Sequence, residues 1–370
     1  MSVQVLLALV LVAETIVILA RQLQHPPPPG ERAGPSTTRV VIPLIGFDDD
    51  LAANLLPLLT HVREDRSTRW VFALSYRDPS AEPALRETFG DEPNVEIRLS
   101  RPGGAPSDKN NNMIEGTRGL TEEFVAFVDI DHELPQGFVG NLREASVGGT
   151  AAVTTLNVYA DDPFRAAWWG RELEDMFDGQ RRYLWGGGML IPTAIWTALR
   201  LSDVLSCHIH DDLPITRTLR RAGVPIEFAP AAMGISHAAR HPDSFLSWAH
   251  RISVLGRFGL GAAWRRYALL DAARFCVVLW LVMTAPLAAS LAIVALAARW
   301  VARDRLAAAA ADRFPSVPRT PAFRRAIGAA AVFCLAPAIF GVAVLTRRIR
   351  YRGIEYSMTK NAASAAGLEG

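Results

Sequence analysis

The sequence predicts a mixed α/β domain on a mainly parallel sheet, joined to a membrane by apolar segments at both ends. Three observations carry this. Short β-rich runs alternate with helical patterns from about residue 39 to 262, apolar stretches flank that segment, and the apolar run Phe124–Val128 ends in Asp129 and Asp131, two carboxylates one residue apart. Arg39–Ile45 is the first β-rich run, followed by Leu51, Leu55, Leu58 and Leu59 at helical spacing. Trp70–Ser75 is a second strand, Glu82–Phe89 a helix and Val95–Leu99 a third strand; a loop rich in Gly, Pro and Asn then leads to Phe124–Asp129. Strands and helices in this order form a mainly parallel sheet with helices on both faces, and such sheets bind ligands beyond the carboxyl ends of their strands. Asp78, after the second strand, and Asp129, after the fourth, both fall there.

The flanks read as membrane segments. Val3–Ala20 is apolar except for Glu14 and is followed by Arg21 and the Pro26–Pro29 run. Its start, Met1–Gln4, has no charged side chain, which points to an uncleaved anchor rather than a signal peptide. Phe275–Ala298 and Ala326–Leu345 are each about long enough to cross a bilayer; they contain Pro286 and Pro337, so either one kinks or forms a re-entrant hairpin. The expected organisation is an anchor at 1–21, a Pro-rich linker at 22–38, the α/β domain at 39–262, a membrane region at 263–350 with an Arg-rich loop between stretches 275–298 and 326–345, and a tail at 351–370.

Net charge is +2 with pI near 8.5, from an even mixture of signs, so no nucleic-acid partner is expected. Basic residues crowd the membrane flanks instead: Arg299, Arg303, Arg305, Arg313, Arg319, Arg324 and Arg325 lie between the last two apolar stretches, and Arg347, Arg348, Arg350 and Arg352 follow them. The positive-inside rule places both groups in the cytoplasm, which two simple crossings cannot do, so one stretch is expected to be re-entrant or interfacial. Arginines near headgroups also favour anionic lipid. The cysteines, Cys207, Cys276 and Cys334, are scattered, and Cys207, His208, His237 and His241 do not match zinc-ligand spacings; neither a disulfide framework nor a zinc site follows, which fits a cytoplasmic face.

Each polar cluster has a functional and a plain reading. If strand geometry persists, Asp129 and Asp131 point the same way and suit Mg2+ or Mn2+ already carrying nucleotide phosphates; a solvated turn is the plain alternative. Asp78, before Pro79, either accepts hydrogen bonds from a base or ribose or caps a turn. Lys109 and Lys360 are the only lysines in a chain rich in arginine, so Lys109, just before a helix, is a candidate compact donor that holds a diphosphate or orders its loop; otherwise it belongs to an exposed polar loop. Gly186–Gly188, after Trp185, permit close backbone approach to a ligand or a flexible turn. Asp211 and Asp212 open the helix Leu213–Arg221, where they are natural caps; adjacency and partial burial also make a carboxylate there a general-base candidate. Trp168–Trp169 either stack on a sugar, sit at the membrane surface or pack in the core.

Together these pieces resemble family 2 glycosyltransferases of the GT-A fold, specifically the ceramide glucosyltransferase-like and hopanoid glycosyltransferase-like branch, from about Val40 to Gly259. Ile42–Pro43–Leu44–Ile45–Gly46–Phe47–Asp48 with Asn54–Leu55 is similar to the branch's opening, Asp78–Pro79 to its first aspartate motif, and Pro93–Asn94–Val95 through Lys109, Asn111 and Asn112 to the segment that follows. Asp129 matches the second aspartate, whereas Asp131 falls where the branch often has no acid; Asp212, in Asp211–Asp212, matches the third aspartate, the family's catalytic base. The last motif, Gln or Arg, two residues, then Arg-Trp, is altered: Arg251 supplies the arginine, Trp248 stands where Gln or Arg belongs and Ile252 replaces tryptophan. Arg350–Tyr351–Arg352–Gly353 resembles the Trp-Arg-Gly ending of related membrane transferases.

The resemblance implies a multi-pass cell-membrane enzyme, its catalytic domain on the cytoplasmic face, moving a hexose such as glucose from a UDP-sugar to a lipid hydroxyl of ceramide, diacylglycerol or a hopanoid, with inversion. Asp212 would be the base; Asp78, Lys109, Asn111, Asp129, Asp131, Gly187 and Arg251 would hold the nucleotide sugar; Asp129 and Asp131 would hold Mg2+ or Mn2+; Trp248 and Asp211 would contact acceptor or sugar. A processive polysaccharide synthase and a non-catalytic nucleotide-sugar-binding membrane protein are the alternatives.

Overall fold

The computed structural model describes residues 2–23, 36–237, 244–315, 317–351 and 354–358. The Pro26–Pro29 run, His241 and the Arg352–Gly353 pair lie outside the described residues. The chain begins with α1 (Val3–Leu23), β1 (Thr38–Leu44), α2 (Asp49–Glu64), β2 (Thr68–Leu74), α3 (Glu82–Phe89), β3 (Val95–Leu99), α4 (Asp108–Gly116), β4 (Phe124–Val128) and β5 (His132–Glu133). It continues with α5 (Phe138–Ala145), β6 (Ala152–Thr154), β7 (Asn157–Tyr159), α6 (Pro163–Phe177), β8 (Gly188–Pro192), α7 (Thr193–Ala198), α8 (Leu201–Ser206), α9 (Asp212–Arg221), β9 (Ile226–Phe228) and β10 (Gly234–Ser236). The last elements are α10 (Phe245–Leu260), α11 (Ala262–Thr284), α12 (Pro286–Ala311), α13 (Ala322–Leu345), β11 (Arg348–Tyr351) and β12 (Ile354–Ser357). Two compact units result, one from Pro27–Asn157 and Gly179–Ser236, the other from Met1–Pro26, Val158–Asp178 and His237–Met358.

In the first unit a seven-stranded sheet runs in the order β3-β2-β1-β4-β8-β6-β9. β3, β2, β1 and β4 are mutually parallel, β8 is antiparallel to both β4 and β6, and β9 is parallel to β6. Both faces are covered, which is why these strands read as apolar runs rather than as alternating ones. Val40, Ile42, Leu44, Trp70, Phe72, Leu74, Phe124, Ala126 and Val128 join one core with α2, α3 and α5. Their neighbours Val41, Val71, Ala73, Val125 and Phe127 join the other with Met113 of α4 and Ile215 and Leu219 of α9.

That alternation positions the acids. Asp129 follows Val125 and Phe127 in parity and so emerges on the side of α4 and α9, whereas Ile130 joins the opposite core with Val128. The ladder ends at Val128 opposite Gly188, so strand geometry does not persist to Asp131 and the expected same-side alignment of the two carboxylates has no strand to enforce it.

α4 forms in spite of a poor helix sequence, Asp108–Lys109–Asn110–Asn111–Asn112. Ser107 caps it by accepting from the Asn110 N–H at 3.2 Å, and Asp108 favours the positive end of the helix. Lys109 is thus inside the first turn rather than before it. At the other end Gly116 lets the helix press on Val41, whose side chain a Cβ would strike.

Arg39 on β1 is buried; its guanidinium donates to the carbonyls of Arg118 at 2.8 Å and Gly119 at 2.9 Å and pairs with Glu122 at 2.8 Å, closing the turn between α4 and β4.

The second unit holds α1, α6 and α10–α13. Among the described residues four helices are long and apolar enough to cross a membrane: Val3–Ala20 within α1, then α11, α12 and α13. The stretch expected as one segment, Phe275–Ala298, is two helices, because Pro286 has no N–H to continue a helix and Ala285 before it turns to φ −152° and ψ 73°. Each helix then extends beyond the apolar stretch, so Arg299, Arg303 and Arg305 lie on α12 rather than in a loop. Pro337 stays inside α13. Ala8 and Leu11 of α1 pack on Leu281, Ala288, Ala289 and Ala292, small residues that let the helix backbones approach. Glu14 on α1 pairs with Arg274 and, at 3.8 Å, Arg299, so the one acid of the apolar anchor faces cations rather than lipid.

Removing Arg39 strands Glu122 and the carbonyls it serves. Arg39→Ala is expected to lower stability by about 3–5 kcal/mol, the usual cost of breaking a buried pair from one side, whereas the double replacement Arg39→Met with Glu122→Gln costs less. Thermal unfolding of the detergent-solubilised chain checks the order; an Arg39→Ala midpoint equal to wild type refutes it.

Candidate active site

Beyond the carboxyl end of β4, Lys109 reaches across to the acids. Its ammonium lies 2.8 Å from the Asp129 carboxylate and 2.9 Å from that of Asp211, with the Gly186 carbonyl at 3.4 Å. Asp212 accepts the Gly186 N–H at 3.2 Å on Oδ2 and the Leu213 N–H at 2.7 Å on Oδ1. Asp129 is itself tied to the same loop, its N–H donating to the Gly187 carbonyl at 3.2 Å. α4, the end of β4, the Trp185–Gly188 loop and the start of α9 therefore meet around one cluster. Asp211 does not cap α9 with its side chain; that carboxylate is turned to Lys109.

The glycines make this approach possible. A Cβ at Gly186 would collide with the Asp211 carboxylate, one at Gly187 with the Trp185 ring and one at Gly188 with Thr155. The loop is held from behind by the Trp185 N–H donating to Thr154 Oγ1 at 2.9 Å and the Leu184 N–H to Thr216 Oγ1 at 2.9 Å.

Burial and charge divide the acids. Burial pushes Asp129 up to about 6, with Lys109 opposing and Asp131 and Asp211 reinforcing. Burial likewise raises Asp212 to about 7, with the neighbouring Asp211 charge adding and Lys109 opposing. Burial acts on Asp211 too, but the Lys109 ammonium outweighs it and holds Asp211 below the ordinary carboxylate value. Desolvation works against the Lys109 charge, and Asp129 and Asp211 more than compensate, raising its pKa well above the usual one. His210 is driven down to about 4 by burial, so it is neutral beside the acids.

Asp131 Oδ1 is 3.3 Å from Nδ1 of buried His132, whose ring packs on Trp185 at 5.2 Å. The turn between the two acids is pinned by Asn54, which donates to the Ile130 carbonyl at 2.6 Å. Asp78 follows β2, two strands from β4, which puts it ~10 Å away in the sheet direction. It is exposed, accepts the Ser80 N–H at 3.2 Å and presses on Gly46, where a Cβ would come within 2.6 Å of its Oδ2 and where φ is +72°.

The asparagines act on the protein itself. Asn111 donates to the Arg101 carbonyl at 2.6 Å, which commits the amide expected to hold the nucleotide sugar to its own loop. Asn110 donates to the carbonyls of Leu205, His208 and His210 at 3.2, 2.6 and 2.9 Å, fixing the approach to Asp211, and Asn112 donates to Leu44 at 2.7 Å, fixing the end of β1. Asn110 is the position of this cluster missed from sequence; three consecutive asparagines in a helix, which they disfavour, are the signal that side-chain bonding was at stake.

Among the described residues no group of three or more His, Cys, Asp or Glu is arranged to hold a metal ion. Asp129 and Asp131 are nonetheless hard oxygen donors at the strand end, and a Mg2+-like ion takes one or two carboxylates with substrate phosphates and water completing its shell. The donor set fits an ion that arrives with a diphosphate.

In the other unit Trp248 of α10 is buried among Trp169 at 5.7 Å, Tyr159 at 5.8 Å and Phe245 at 6.3 Å, with Arg165 over its ring at 5.7 Å. The expected ligand contact is therefore a packing residue, as are Trp168 and Trp169. Arg251 sits half-buried one turn further along α10.

No protein-family profile and no curated protein sequence matches the chain. Solved structures do. A mannosyltransferase, PcManGT from Pyrobaculum calidifontis in complex with GDP-Man and Mn2+, superposes with TM-score 0.51 at 16% identity over 92% of this chain and 99% of that one. GalNAc-T7 with UDP, GalNAc and Mn2+ gives 0.39 at 11% identity over 59% and 48%, and S. aureus TarS gives 0.38 at 10% over 59% and 39%, both too loose to bear on the argument. The mannosyltransferase likeness shows a shared fold, and the α/β, GT-A architecture expected from the sequence is the one found.

The raised Asp212 has a measurable consequence. Its folded value near 7 lies above the ordinary 3.8, so the folded state keeps a proton that the unfolded chain loses; this group withdraws stability as pH climbs from about 4 to about 7. Asp212→Asn is expected to melt above wild type at pH 8, by about 2–4 °C per kcal/mol recovered, and the two midpoints to converge near the low end of that window. A variant that melts below wild type at pH 8 overturns the assignment.

Proposed function

We propose that the chain is a membrane-bound inverting glycosyltransferase that moves a hexose from a UDP-sugar to the hydroxyl of a membrane lipid such as ceramide, diacylglycerol or a hopanoid. The observation that carries this is Asp212, a raised-pKa carboxylate fixed by the Gly186 N–H beside a Lys109-bridged acid pair at the carboxyl end of a parallel sheet. Support comes from the fold shared with a sugar transferase and from the order of the motifs along the chain.

Asp78, at the end of β2, would accept from the uracil or ribose, and Asp129 and Asp131 would hold a divalent ion. The ion, once bound, would supply positive charge against the diphosphate as the leaving group forms. Lys109, held in place by Asp129 and Asp211, adds a second, compact cation beside the diphosphate. Asp212 takes the proton from the lipid hydroxyl as its oxygen attacks the anomeric carbon from the face opposite the breaking bond, which inverts that centre. A base near 7 is matched to this work at physiological pH. Attachment to the bilayer places the enzyme in the surface where a lipid acceptor is confined.

Labelled UDP-sugars and GDP-mannose, offered to the purified chain with membrane lipid and Mn2+, test the reaction, with the product identified by mass. One sugar per lipid supports single transfer; a ladder of lengths marks a polymerising synthase. Asp212→Asn is expected to lose ~10²–10⁴-fold in rate while still binding UDP and Mn2+. Equal behaviour of wild type and variant, both binding, sinks the catalytic reading and leaves a nucleotide-sugar-binding protein. In wild type, kcat/KM should rise with pH and level off above about 7, where Asp212 has lost its proton; a flat profile from pH 5 to 8 refutes Asp212 as the base.

A further inference from the structure

We propose that His132 is a positioning residue for the divalent ion: its Nδ1–H holds the Asp131 carboxylate, and the Trp185 ring holds His132. The role rests on the transferase reading, which gives Asp129 and Asp131 the ion.

The three residues that follow β4 are each fixed by a different neighbour. The Asp129 N–H donates to the Gly187 carbonyl at 3.2 Å, and the Ile130 carbonyl accepts from Asn54 at 2.6 Å. Neither bond reaches the Asp131 side chain, and the β4–β8 ladder has ended at Val128. A carboxylate left to choose its rotamer has to be ordered when the ion binds, which weakens binding. What meets Asp131 is the residue after it: Nδ1 of His132 lies 3.3 Å from its Oδ1. An ionised carboxylate can only accept, so the ring presents its N–H there. The Asp131 side chain is 35% exposed and stays reachable from solution.

His132 can hold another group because its own place is set from three sides. Its backbone is in register in a second sheet, opposite Ser236 in the β5–β10 pair, and its side chain is fully buried. On one side the ring lies over Gly234, where a Cβ would come within 2.7 Å of Cδ2, so the glycine admits it. On another it packs on Trp185 at 5.2 Å with 49° between the planes. Trp185 is anchored in turn: its N–H donates to Thr154 Oγ1 at 2.9 Å, and its ring fills the space that a Cβ at Gly187 would need.

Packing alone does not account for an imidazole here. An apolar side chain would fill the space between β10 and Trp185, whereas a buried imidazole is costly unless its nitrogens are hydrogen-bonded. Nε2 is buried with no hydrogen-bond partner, and the bond to Asp131 is the one that the His132 side chain makes among the described residues. What histidine adds over phenylalanine or leucine is therefore an N–H for Asp131. The same ring connects Asp131 to the Trp185–Gly188 loop, whose Gly186 N–H donates to Asp212. Asp131 and Asp212 thus take their positions from one loop.

Free Mn2+ gives an electron paramagnetic resonance signal that broadens away on binding, so titrating the detergent-solubilised full-length chain with Mn2+ in the presence of UDP reads ion affinity without turnover. His132→Phe keeps a ring against Trp185 and removes the N–H. It is expected to weaken Mn2+ binding ~10–100-fold, the usual effect of losing a group that orients a metal-ligating side chain, with an unchanged circular-dichroism spectrum. Asp131→Ala is expected to weaken it as well, and the double variant no further than Asp131→Ala alone, because His132 acts through that carboxylate. His132→Leu, smaller than the ring and equally without a donor, takes the place of the phenylalanine variant if that one does not accumulate. Wild-type Mn2+ affinity in the His132 variant beside a weakened Asp131→Ala, or losses that add in the double variant, overturn the proposal and leave the ion site standing. Mn2+ binding that Asp131→Ala does not change, or that wild type lacks, removes the ion site and the role of His132 together.

Discussion

The first unit depends on one ammonium group. Three carboxylates, those of Asp129, Asp211 and Asp212, converge where β4 ends, and the Asp211 charge raises the cost of ionising the other two. Lys109, 29% exposed in its side chain, bridges two of them from the first turn of α4 and makes their approach tolerable. An arginine would not do this equally well, since its planar fork needs more room and a different set of acceptors. The compact cation fits a pocket whose other wall is backbone, at Gly186 and Gly187.

Much of the surrounding structure follows from placing that lysine. α4 must start at Ser107, and the asparagines that weaken its helical propensity spend their amides on the carbonyls of Leu44, Arg101, Leu205, His208 and His210. The same residues thus tie the ends of β1 and α8 and the loop before α9 to one short helix. Parity along β4 does the rest: with Val125 and Phe127 facing α4 and α9, Asp129 has to emerge toward Lys109.

The parallel half of the sheet was legible because β1, β2, β3 and β4 are apolar runs punctuated by helices, and Lys109, Asp129 and Asp212, which meet in one cluster, stood out as acids and a rare lysine at strand and helix ends. Other features were not. β8 hides in Gly188–Pro192, where the glycines draw attention to a turn and the short antiparallel strand behind them has no periodicity of its own. Asp131 was read by strand alternation, which stops at Val128. Asn111 was read as a ligand contact because sequence does not say which carbonyl an amide will meet. Hydropathy fused α11 and α12 into one stretch, since apolar composition is continuous through Ala285; Pro286, read as a kink or re-entrant turn, is the mark of the break.

Asp211 and Asp212 show how adjacency is turned to use. The two side chains leave consecutive backbone positions at a helix start, where a carboxylate is favoured by the dipole. One meets Lys109 and is held ionised; the other, buried and accepting only from N–H groups, feels the charge of its neighbour more than the opposing Lys109 ammonium and rises to about 7. The pair thereby separates two tasks that a single acid cannot perform together, since a permanent anion that positions a cation must stay ionised, whereas a base must gain a proton and lose it again near neutral pH. The separation requires that Lys109 reach Asp211 and not Asp212, and this is set by the close approach of Gly186, whose missing side chain admits the Asp211 carboxylate while its N–H takes Asp212.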